Sequence, residues 1–328
     1  MAVLVTGGAG YIGSHCVTAL LERGEDVVVV DNLQQGHRRA VRGARLLVGD
    51  IRDGDFLEKV FREHEIESVI HFAANSLVGA SMTDPFSYYH NNVYGTLCLL
   101  EKMNKFGIKR MVFSSTAATY GEPERVPIAE TDRTQPTSTY GETKLAMEKM
   151  MHWFDVAHGI KSVALRYFNA AGAHESGEIG EDHRPETHLV PIILQTALGL
   201  RDEVAIFGDD YDTPDGTCIR DYLHVMDLAD AHLLALDRLR RGGDSTVYNL
   251  GSGTGFSVKE MVEAARRVTG RPIRAKVVGR RPGDPAVLIA SSDKIKRELG
   301  WQPKRDNVET IIADAWRWHA AHPNGYED

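Results

Sequence analysis

The chain opens with a short apolar strand that runs straight into a glycine-rich turn and an amphipathic helix. The predicted strand is Ala2–Thr6, and the turn that follows is Gly7-Gly-Ala-Gly10-Tyr-Ile-Gly13. Glycines at these positions allow a tight turn, a close approach of the backbone to a pyrophosphate, and close packing of helix on strand. The helix N-terminus adds free N–H groups and the positive end of its dipole. A strand before the turn and a helix after it predict a dinucleotide-binding βα unit, which a glycine triple alone would not.

The first half of the chain alternates short β-branched runs with amphipathic helical stretches. Asp26–Val30 is apolar on both faces, which is typical of a parallel strand covered by helices on both sides. Phe56, Leu57 and Val60 form a helical stripe after the possible N-cap Asp53. This alternation predicts an α/β fold with a doubly wound, Rossmann-like parallel sheet. Its predicted strands are Ala2–Thr6, Asp26–Val30, Arg45–Val48, Ser68–Phe72, Arg110–Ser114 and Lys161–Arg166.

The composition of the sequence changes after about residue 169. Residues 170–222 are rich in Gly, Pro, Asp and His and are predicted to form long loops around a short helix near 190–199. One more core strand is predicted at Thr246–Leu250. Ser257 and Glu260 then form a capping box that opens a helix ended by Gly270.

These changes predict two domains. Residues 1–168 with about 223–251 are expected to form the dinucleotide-binding domain. Residues of about 169–222 and 252–328 are expected to form a second, smaller α/β domain that binds the substrate.

Composition excludes several classes of function. The 328 residues carry a formal net charge of −8, which disfavours general nucleic-acid binding. No apolar run is long enough for a membrane span, and no basic segment precedes Ala2 as a secretory signal would require. Cys16, Cys98 and Cys218 are widely spaced and odd in number, so neither a disulfide framework nor a zinc ribbon is expected. We therefore predict a cytoplasmic protein that acts on small molecules, with no nucleic-acid or membrane partner.

An acidic residue stands where a ribose would be recognised. Asp31 ends the second predicted strand, 18 residues beyond Gly13. A carboxylate there accepts hydrogen bonds from both ribose hydroxyls and repels a 2′-phosphate, which favours NAD over NADP. The alternative is an aspartate that merely caps the strand in a turn. The loop Gly49-Asp50-Ile51 follows the third strand, where its edge can meet the adenine.

A tyrosine and a lysine are spaced for one helix face. Tyr140 and Lys144 are four residues apart, although this spacing by itself decides nothing, because chance can supply such a pair in a chain of this composition. A row of hydroxyls, Ser114-Ser-Thr116, ends the strand Arg110–Ser114. Ligands of open α/β sheets bind beyond the carboxyl ends of the strands. These groups are therefore expected to converge on a substrate alcohol.

The combination resembles the extended short-chain dehydrogenase/reductase superfamily and, within it, the UDP-glucose (UDP-galactose) 4-epimerase family. The resemblance covers nearly the whole chain, and its longest stretch, residues 216–227, is far more specific than the glycine turn. The stretches that carry it are Thr6-Gly-Gly-Ala-Gly-Tyr-Ile-Gly-Ser-His15, Asp31-Asn-Leu33, Gly49-Asp-Ile-Arg-Asp53, His71-Phe-Ala-Ala74, Asn91-Asn-Val-Tyr-Gly-Thr96, Arg166-Tyr-Phe-Asn169, Gly216-Thr-Cys-Ile-Arg-Asp-Tyr-Leu-His-Val-Met-Asp227 and Tyr248-Asn-Leu-Gly251.

The resemblance implies an NAD site and a UDP-sugar site. With the glycine turn included, the predicted NAD-binding residues are Gly7, Gly10, Tyr11, Ile12, Gly13, Asp31, Asn32, Leu33, Asp50, Ile51, Phe72, Ala73, Ala74, Asn92, Ser114, Tyr140, Lys144 and Phe168. The predicted substrate-binding residues are Thr116, Tyr140, Asn169, His188, Leu189, Phe207, Arg220, Tyr222, Arg281, Asp284 and Leu288. UDP-glucose and UDP-galactose are the implied substrates, and a homodimer formed through the helix of Tyr140 is the implied assembly.

The implied reaction assigns a role to three residues. Tyr140 is the predicted base for the sugar 4-hydroxyl, Lys144 its electrostatic partner and Thr116 the proton relay. Serving as a base near neutral pH requires the pKa of a tyrosine to fall by about three units. A neighbouring lysine and an oxidised nicotinamide, both positive, favour the phenolate. Arg220 and Arg281 suit the diphosphate, because a guanidinium fork matches phosphate oxygens.

Three positions depart from the family pattern. Ser76 stands where many members have a lysine, and Thr116 where a serine is common. Leu288 replaces either the large aromatic that goes with rejection of N-acetylated sugars or the small residue that goes with their acceptance. Leucine lies between these cases, so acceptance of UDP-N-acetylhexosamines is left open.

Other functions remain as alternatives. A nucleotide-sugar 4,6-dehydratase shares the fold and the Tyr–Lys pair but needs acid and base groups where this chain has Ala117 and Ala118. A simple dehydrogenase of small alcohols would not need the long motif around Arg220. A non-catalytic NAD-sensing regulator usually lacks the Tyr–Lys pair. Fourteen histidines show no spacing typical of metal ligands, so no metal site is predicted.

Overall fold

The computed structural model describes residues 1–281 and 284–327. A seven-stranded sheet forms the centre of this described part, with the strand order β11-β6-β5-β4-β1-β2-β3. All neighbouring strands in it run parallel. Its strands are β1 (Ala2–Thr6), β2 (Val27–Asp31), β3 (Arg45–Val48), β4 (Ile66–His71), β5 (Arg110–Ser114), β6 (Lys161–Arg166) and β11 (Thr246–Asn249).

The predicted doubly wound α/β fold is confirmed, and the strand boundaries differ by at most two residues. Every residue of β1 and β2 is buried, as their two-sided apolar character predicts. The second strand starts and ends one residue later than predicted, which places Asp31 at its end. Thr246–Asn249 joins the edge of the sheet beside β6, so the additional core strand is confirmed.

Helices cover both faces of the sheet and the region beyond it. One hydrophobic cluster joins β1 and β2 to the helices Tyr11–Glu22 and Val225–Arg240. A second cluster packs on the opposite face of the sheet. The helices are α1 (Tyr11–Glu22), α2 (Gly54–Glu63), α3 (Val78–Ser81), α4 (Pro85–Tyr88), α5 (Gly95–Lys105), α6 (Thr139–His158), α7 (Leu189–Ala197), α8 (Val225–Arg240), α9 (Val258–Thr269), α10 (Asp293–Leu299) and α11 (Val308–Ala321). A π-helical turn spans Tyr89–Tyr94, and 3-10 turns span Arg38–Ala40 and Ala117–Thr119.

Helix starts follow the predicted capping chemistry. Asp53 accepts hydrogen bonds from the backbone N–H groups of Asp55 and Phe56 at the start of α2. Ser257 and Glu260 form the predicted capping box of α9, and Gly270 ends that helix with a left-handed φ of 63°.

The prediction of long loops over residues 170–222 was incomplete. Short strands interrupt this segment and pair with partners that are mostly distant in sequence. Strands of two to four residues are too short to show a recognisable period in the sequence. The short strands outside the central sheet are β7 (Asn169–Ala171), β8 (Val204–Phe207), β9 (Ile219–Arg220), β10 (Tyr222–His224), β12 (Phe256–Ser257), β13 (Ala275–Val278) and β14 (Val287–Leu288).

A third hydrophobic cluster lies beyond the sheet. It joins α7, α9 and α11 through residues such as Ile193, Met261 and Ile311. These helices come from the segments that sequence patterning assigns to a substrate domain, and the division into two domains stays a prediction. None of the helices in the described ranges is long and apolar enough to cross a membrane.

Candidate active site

A cavity of about 1460 Å³ opens at the carboxyl ends of the central strands. The strand order reverses at β1, which lies between β2 and β4, and such a switch point is where open α/β sheets bind ligands. The cavity exceeds the roughly 300–1,000 Å³ typical of a site for one small ligand. It therefore offers room for two extended ligands side by side.

Most of the predicted site residues line this one cavity. Those brought together are Gly7, Gly10, Tyr11, Ile12, Gly13, Asp31, Asn32, Ile51, Phe72, Ala73, Ala74, Ser114, Thr116, Tyr140, Lys144, Phe168, Asn169, His188, Leu189, Phe207, Arg220, Tyr222, Arg281, Asp284 and Leu288.

Three other predicted cofactor residues, all within the described ranges, are not among the residues that line the cavity. Asn92 is fully buried, and its side chain binds the backbone of Asn75 at 2.7 and 3.0 Å. Asp50 accepts a hydrogen bond from the side chain of Asn32 at 3.0 Å. Leu33 has a left-handed φ of 59°, which is rare for a leucine, and its N–H donates to the carboxylate of Asp31. These hydrogen bonds tie the three residues to segments that line the cavity, and their contact with NAD stays a prediction.

The glycine turn is shaped by close backbone contacts. A Cβ on Gly7, whose φ is +74°, would lie 2.5 Å from the backbone nitrogen of Ala73. A Cβ on Gly13 would lie 2.1 Å from the carbonyl oxygen of Gly7. Any side chain at either position would force the turn open. The turn delivers the N-terminus of α1 to the cavity, so the residues present fit the pyrophosphate of a dinucleotide.

Asp31 lies beside the glycine turn in the cavity lining and binds backbone groups there. Its carboxylate accepts hydrogen bonds from the N–H groups of Ala9 at 2.9 Å and Leu33 at 2.8 Å. Burial raises the pKa of this carboxyl, and the two N–H donors oppose the rise. Each carboxylate oxygen keeps a free lone pair, so the group can still accept from the two hydroxyls of a ribose.

Tyr140, Lys144 and Thr116 meet at the end of β5. The hydroxyl of Ser138 caps α6 by accepting the N–H of Gly141 at 3.2 Å, which places Tyr140 and Lys144 on the first turns of that helix. The ammonium of Lys144 donates to the carbonyl of Ser114 at 2.8 Å and lies 5.9 Å from the centre of the Tyr140 ring.

Burial sets the proton affinities of this pair in the protein alone. It raises the pKa of Tyr140 to about 12, although the hydroxyl of Thr116 opposes the rise. It lowers the pKa of Lys144 to about 7, and the carboxylate of Glu148 opposes the fall. Loss of hydration disfavours the charged form of each group, so the phenol is neutral before a ligand binds. A low pKa for Tyr140 therefore requires additional positive charge in the filled site.

The sequence patterns did not identify Glu148, whose carboxylate acts on Lys144. Glu148 follows it by one turn of α6 and accepts from the hydroxyl of Ser115 at 2.5 Å. The guanidinium of Arg166 donates to its two oxygens at 2.9 and 2.5 Å, and both side chains are less than a tenth exposed. The i,i+4 spacing from Lys144 was the available signal, whereas the pairing with β6 is visible only in the folded chain.

The same cavity is also lined by the cationic side chains of Arg220 and Arg281. The guanidinium of Arg220 pairs with Asp284 at 2.5 Å, and that of Arg281 lies 3.8 Å from the centre of the Phe207 ring. Leu288 pairs in register with Arg220 and packs on the small cluster around Ala117. Ala117 directly follows Thr116, so Leu288 lies against a cluster that borders the part of the cavity lined by Thr116.

The family model for the NAD dependent epimerase/dehydratase family matches residues 3–251, and the chain belongs to this family. Among curated relatives, it is 61% identical to the UDP-glucose 4-epimerase of Halalkalibacterium halodurans over 326 residues, which covers 99% of this chain and 98% of the relative. A crystal structure of a UDP-glucose 4-epimerase is 59% identical and matches with a TM-score of 0.99 over 100% of both chains. The UDP-glucose 4-epimerase of Bifidobacterium longum in complex with NAD+ and UDP is 41% identical, with a TM-score of 0.93 over 99% of this chain and 100% of that one.

Proposed function

We infer that this protein interconverts UDP-glucose and UDP-galactose by reversible epimerisation at C4 of the sugar, through a transient 4-keto sugar, with NAD bound throughout. The convergence of Tyr140, Lys144 and Thr116 carries this inference, because these residues line one cavity together with the glycine turn and two arginines. A nucleotide sugar whose diphosphate lies near Arg220 and Arg281 would present its hexose to this centre.

NAD, when bound, supplies the acceptor for the C4 hydride, the donor that returns it, and a positive charge beside Tyr140. The predicted residues along the glycine turn and Asp31 would hold it. Ser76, which replaces a lysine common in the family, offers no cation to its phosphates, so the helix N-terminus of α1 would bear more of that contact.

The proton chemistry belongs to side chains of the chain itself. The phenolate of Tyr140 takes the proton of the 4-hydroxyl, directly or through the hydroxyl of Thr116, as the hydride leaves C4. The ammonium of Lys144 stabilises the phenolate, and Ser114 holds that ammonium in place through its carbonyl. Once the 4-keto sugar has turned about its link to the diphosphate, reduction on its other face would require a proton at the oxygen, which Tyr140 would give back. Nothing is oxidised overall.

Dehydration of the sugar is disfavoured by the groups present. Loss of water across C5 and C6 requires an acid and a base beside the 4-keto sugar. Ala117 and Ala118 stand there, and Ala117 is buried.

Proton NMR of UDP-galactose mixed with the purified protein, with no NAD added, tests the proposal. We expect conversion to an equilibrium mixture rich in UDP-glucose and no net oxidised product. Tyr140→Phe should retain NAD yet lose activity by at least about a hundredfold. Tyr89→Phe is the matched control, since Tyr89 is 45% exposed and lies outside the cavity lining. Absence of conversion after NAD is supplied, or near-normal turnover by Tyr140→Phe, would contradict the assignment.

We also propose that the protein is a cytoplasmic homodimer. Its three cysteines are buried and unpaired, as is usual in a reducing compartment. Phe86, Leu97, Trp153 and Val156 on α4, α5 and α6 are between 43% and 76% exposed, although large apolar side chains normally avoid water. A second copy would cover them. Light scattering after gel filtration should give twice the chain mass for the protein and a smaller value for Leu97→Asp; a monomer at micromolar concentration would refute the dimer.

A further inference from the structure

Four metal-ligating side chains converge in the loop that leads into α7. One ligand atom from each of Glu181, His183, Glu186 and His188 lies within 4.8 Å of the other three. We propose that these four residues form a binding site for one divalent metal ion, and that zinc is the ion that fits them best. Two imidazole nitrogens and two carboxylate oxygens are a donor set that zinc accepts in tetrahedral geometry. This goes against the absence of a metal site that the sequence alone predicts.

Most of the distances between the imidazole nitrogens and the carboxylates are close to those around a shared ion. Nδ1 of His183 lies 3.2 Å from Glu181 and 3.7 Å from Glu186. Nδ1 of His188 lies 2.5 Å from Glu181 and 3.7 Å from Glu186. Around a tetrahedral zinc with bonds of roughly 2.0–2.1 Å, neighbouring ligand atoms lie roughly 3.3 Å apart. The two distances of 3.7 Å are too long for hydrogen bonds. Together with the 3.2 Å distance they lie close to the tetrahedral spacing, whereas the 2.5 Å contact between His188 and Glu181 is a hydrogen bond that an ion would replace.

One ligand atom of the cluster lacks a hydrogen bond, and both carboxylates are buried. Nδ1 of His183 is buried and makes no hydrogen bond within the described residues. The side chains of Glu181 and Glu186 are each only 3% exposed, so water does little to stabilise their charges. Across the described ranges, their ion pairs come only from the two imidazoles. A dication would neutralise both carboxylates and leave both imidazoles neutral.

Neighbouring groups already hold the ligands in position. Glu186 accepts the N–H groups of Thr187 at 2.7 Å and His188 at 2.8 Å, which fixes its carboxylate. The ring of His183 meets the ring of Tyr11 edge-on, with centroids 6.3 Å apart. Outer contacts of this kind orient the ligands of protein metal sites.

The position of the cluster indicates what the ion would do. The four ligands span residues 181–188, and the next residue, Leu189, begins α7 and lines the active-site cavity. A bound ion would close this short loop and fix that part of the cavity wall. Its role is to shape the substrate site, and the proton chemistry at Tyr140 does not involve it.

A competing arrangement keeps the site free of metal. If each imidazole carries a proton, two imidazolium–carboxylate pairs balance the charge with no ion. Metal content distinguishes the two arrangements independently of enzyme activity.

The test uses the full-length, tag-free protein with its cofactor. After treatment with a chelator, the protein is exposed to zinc, desalted, and analysed by inductively coupled plasma mass spectrometry. A parallel sample receives cobalt, which gives intense visible absorption bands only in a tetrahedral site. We expect about one zinc per chain and a tetrahedral cobalt spectrum.

Variants locate the ion. Glu181→Gln and His183→Asn should abolish stoichiometric zinc, and His188→Asn should weaken its binding at least about tenfold. The chain should still fold with His188→Asn, because that side chain is 45% exposed, so a loss of zinc in this variant cannot be attributed to misfolding. His174→Asn is the control, since His174 pairs with Glu22 at the surface, outside the cluster. The proposal is overturned if the parent protein takes up no stoichiometric zinc, if its cobalt spectrum is not tetrahedral, or if the three cluster variants bind zinc as tightly as the control.

Discussion

Glu148 is the anion of a buried ion pair directly behind Lys144, and its replacement gives the sharpest test of the site's architecture. Its side chain is 8% exposed and that of Arg166 is 6% exposed. Glu148→Gln keeps the size of the side chain and one acceptor oxygen but removes the charge. The guanidinium of Arg166 is then left buried without a counterion, a change that typically costs about 3–5 kcal/mol. That is a large part of the roughly 5–15 kcal/mol that stabilises an ordinary protein.

Urea unfolding at a fixed, saturating NAD concentration measures this effect. Fixing NAD matters because any ligand that binds only the folded chain adds to its stability. The matched control is Glu63→Gln, because Glu63 pairs with Lys59 at 4.0 Å where both side chains are more than half exposed. That exposed pair should contribute no more than ~0.5 kcal/mol.

A double variant separates the pair from its members. Glu148→Met with Arg166→Met removes both charges, so the guanidinium is no longer left without its counterion, and we expect a smaller loss than from Glu148→Gln alone. A loss below about 1 kcal/mol for Glu148→Gln, or a double variant that is less stable than the single one, would refute the reasoning from burial.

Three further predictions concern the cofactor, pH and substrate scope. Asp31→Asn should weaken NAD retention and reduce the preference for NAD over NADP, measured by fluorescence titration of the cofactor-free protein; an unchanged preference would contradict a ribose contact. Burial lowers the pKa of Lys144 from its ordinary value of 10.5 to about 7. Between these values the unfolded chain binds more protons than the folded one, so stability rises with pH. Without cofactor, Lys144→Met should have a higher unfolding free energy than the parent at pH 7, because it buries no ammonium. The difference should shrink by about 2 kcal/mol from pH 7 to pH 9, and a constant difference would refute the shift of the Lys144 pKa. Leu288→Tyr should lower the ratio of kcat/KM for UDP-N-acetylgalactosamine to that for UDP-galactose by about tenfold, and an unchanged ratio in coupled assays would remove Leu288 from the sugar pocket.

Local patterns in the sequence were enough for the framework of the fold. The two-sided apolar runs identified β1 and β2 because strands covered by helices on both sides have no polar face. Ser257 and Glu260 identified the start of α9 because a capping box is complete within four residues. The short strands β7 to β10 were missed because their pairing partners supply the order that two to four residues cannot signal alone.

The sequence by itself determined which residue types surround the cavity, since the glycine turn, Asp31 and the Tyr140–Lys144 spacing are all properties of neighbours along the chain. Only the tertiary structure decided the electrostatics of that cavity. The direction of the pKa shift of Tyr140 depends on how much water the fold removes from the phenol, and desolvation there outweighs the Thr116 interaction. The Glu148–Arg166 pair likewise joins α6 to β6 across 18 residues of sequence. Burial and long-range proximity are properties of the packed molecule, so no local pattern in the chain can specify them.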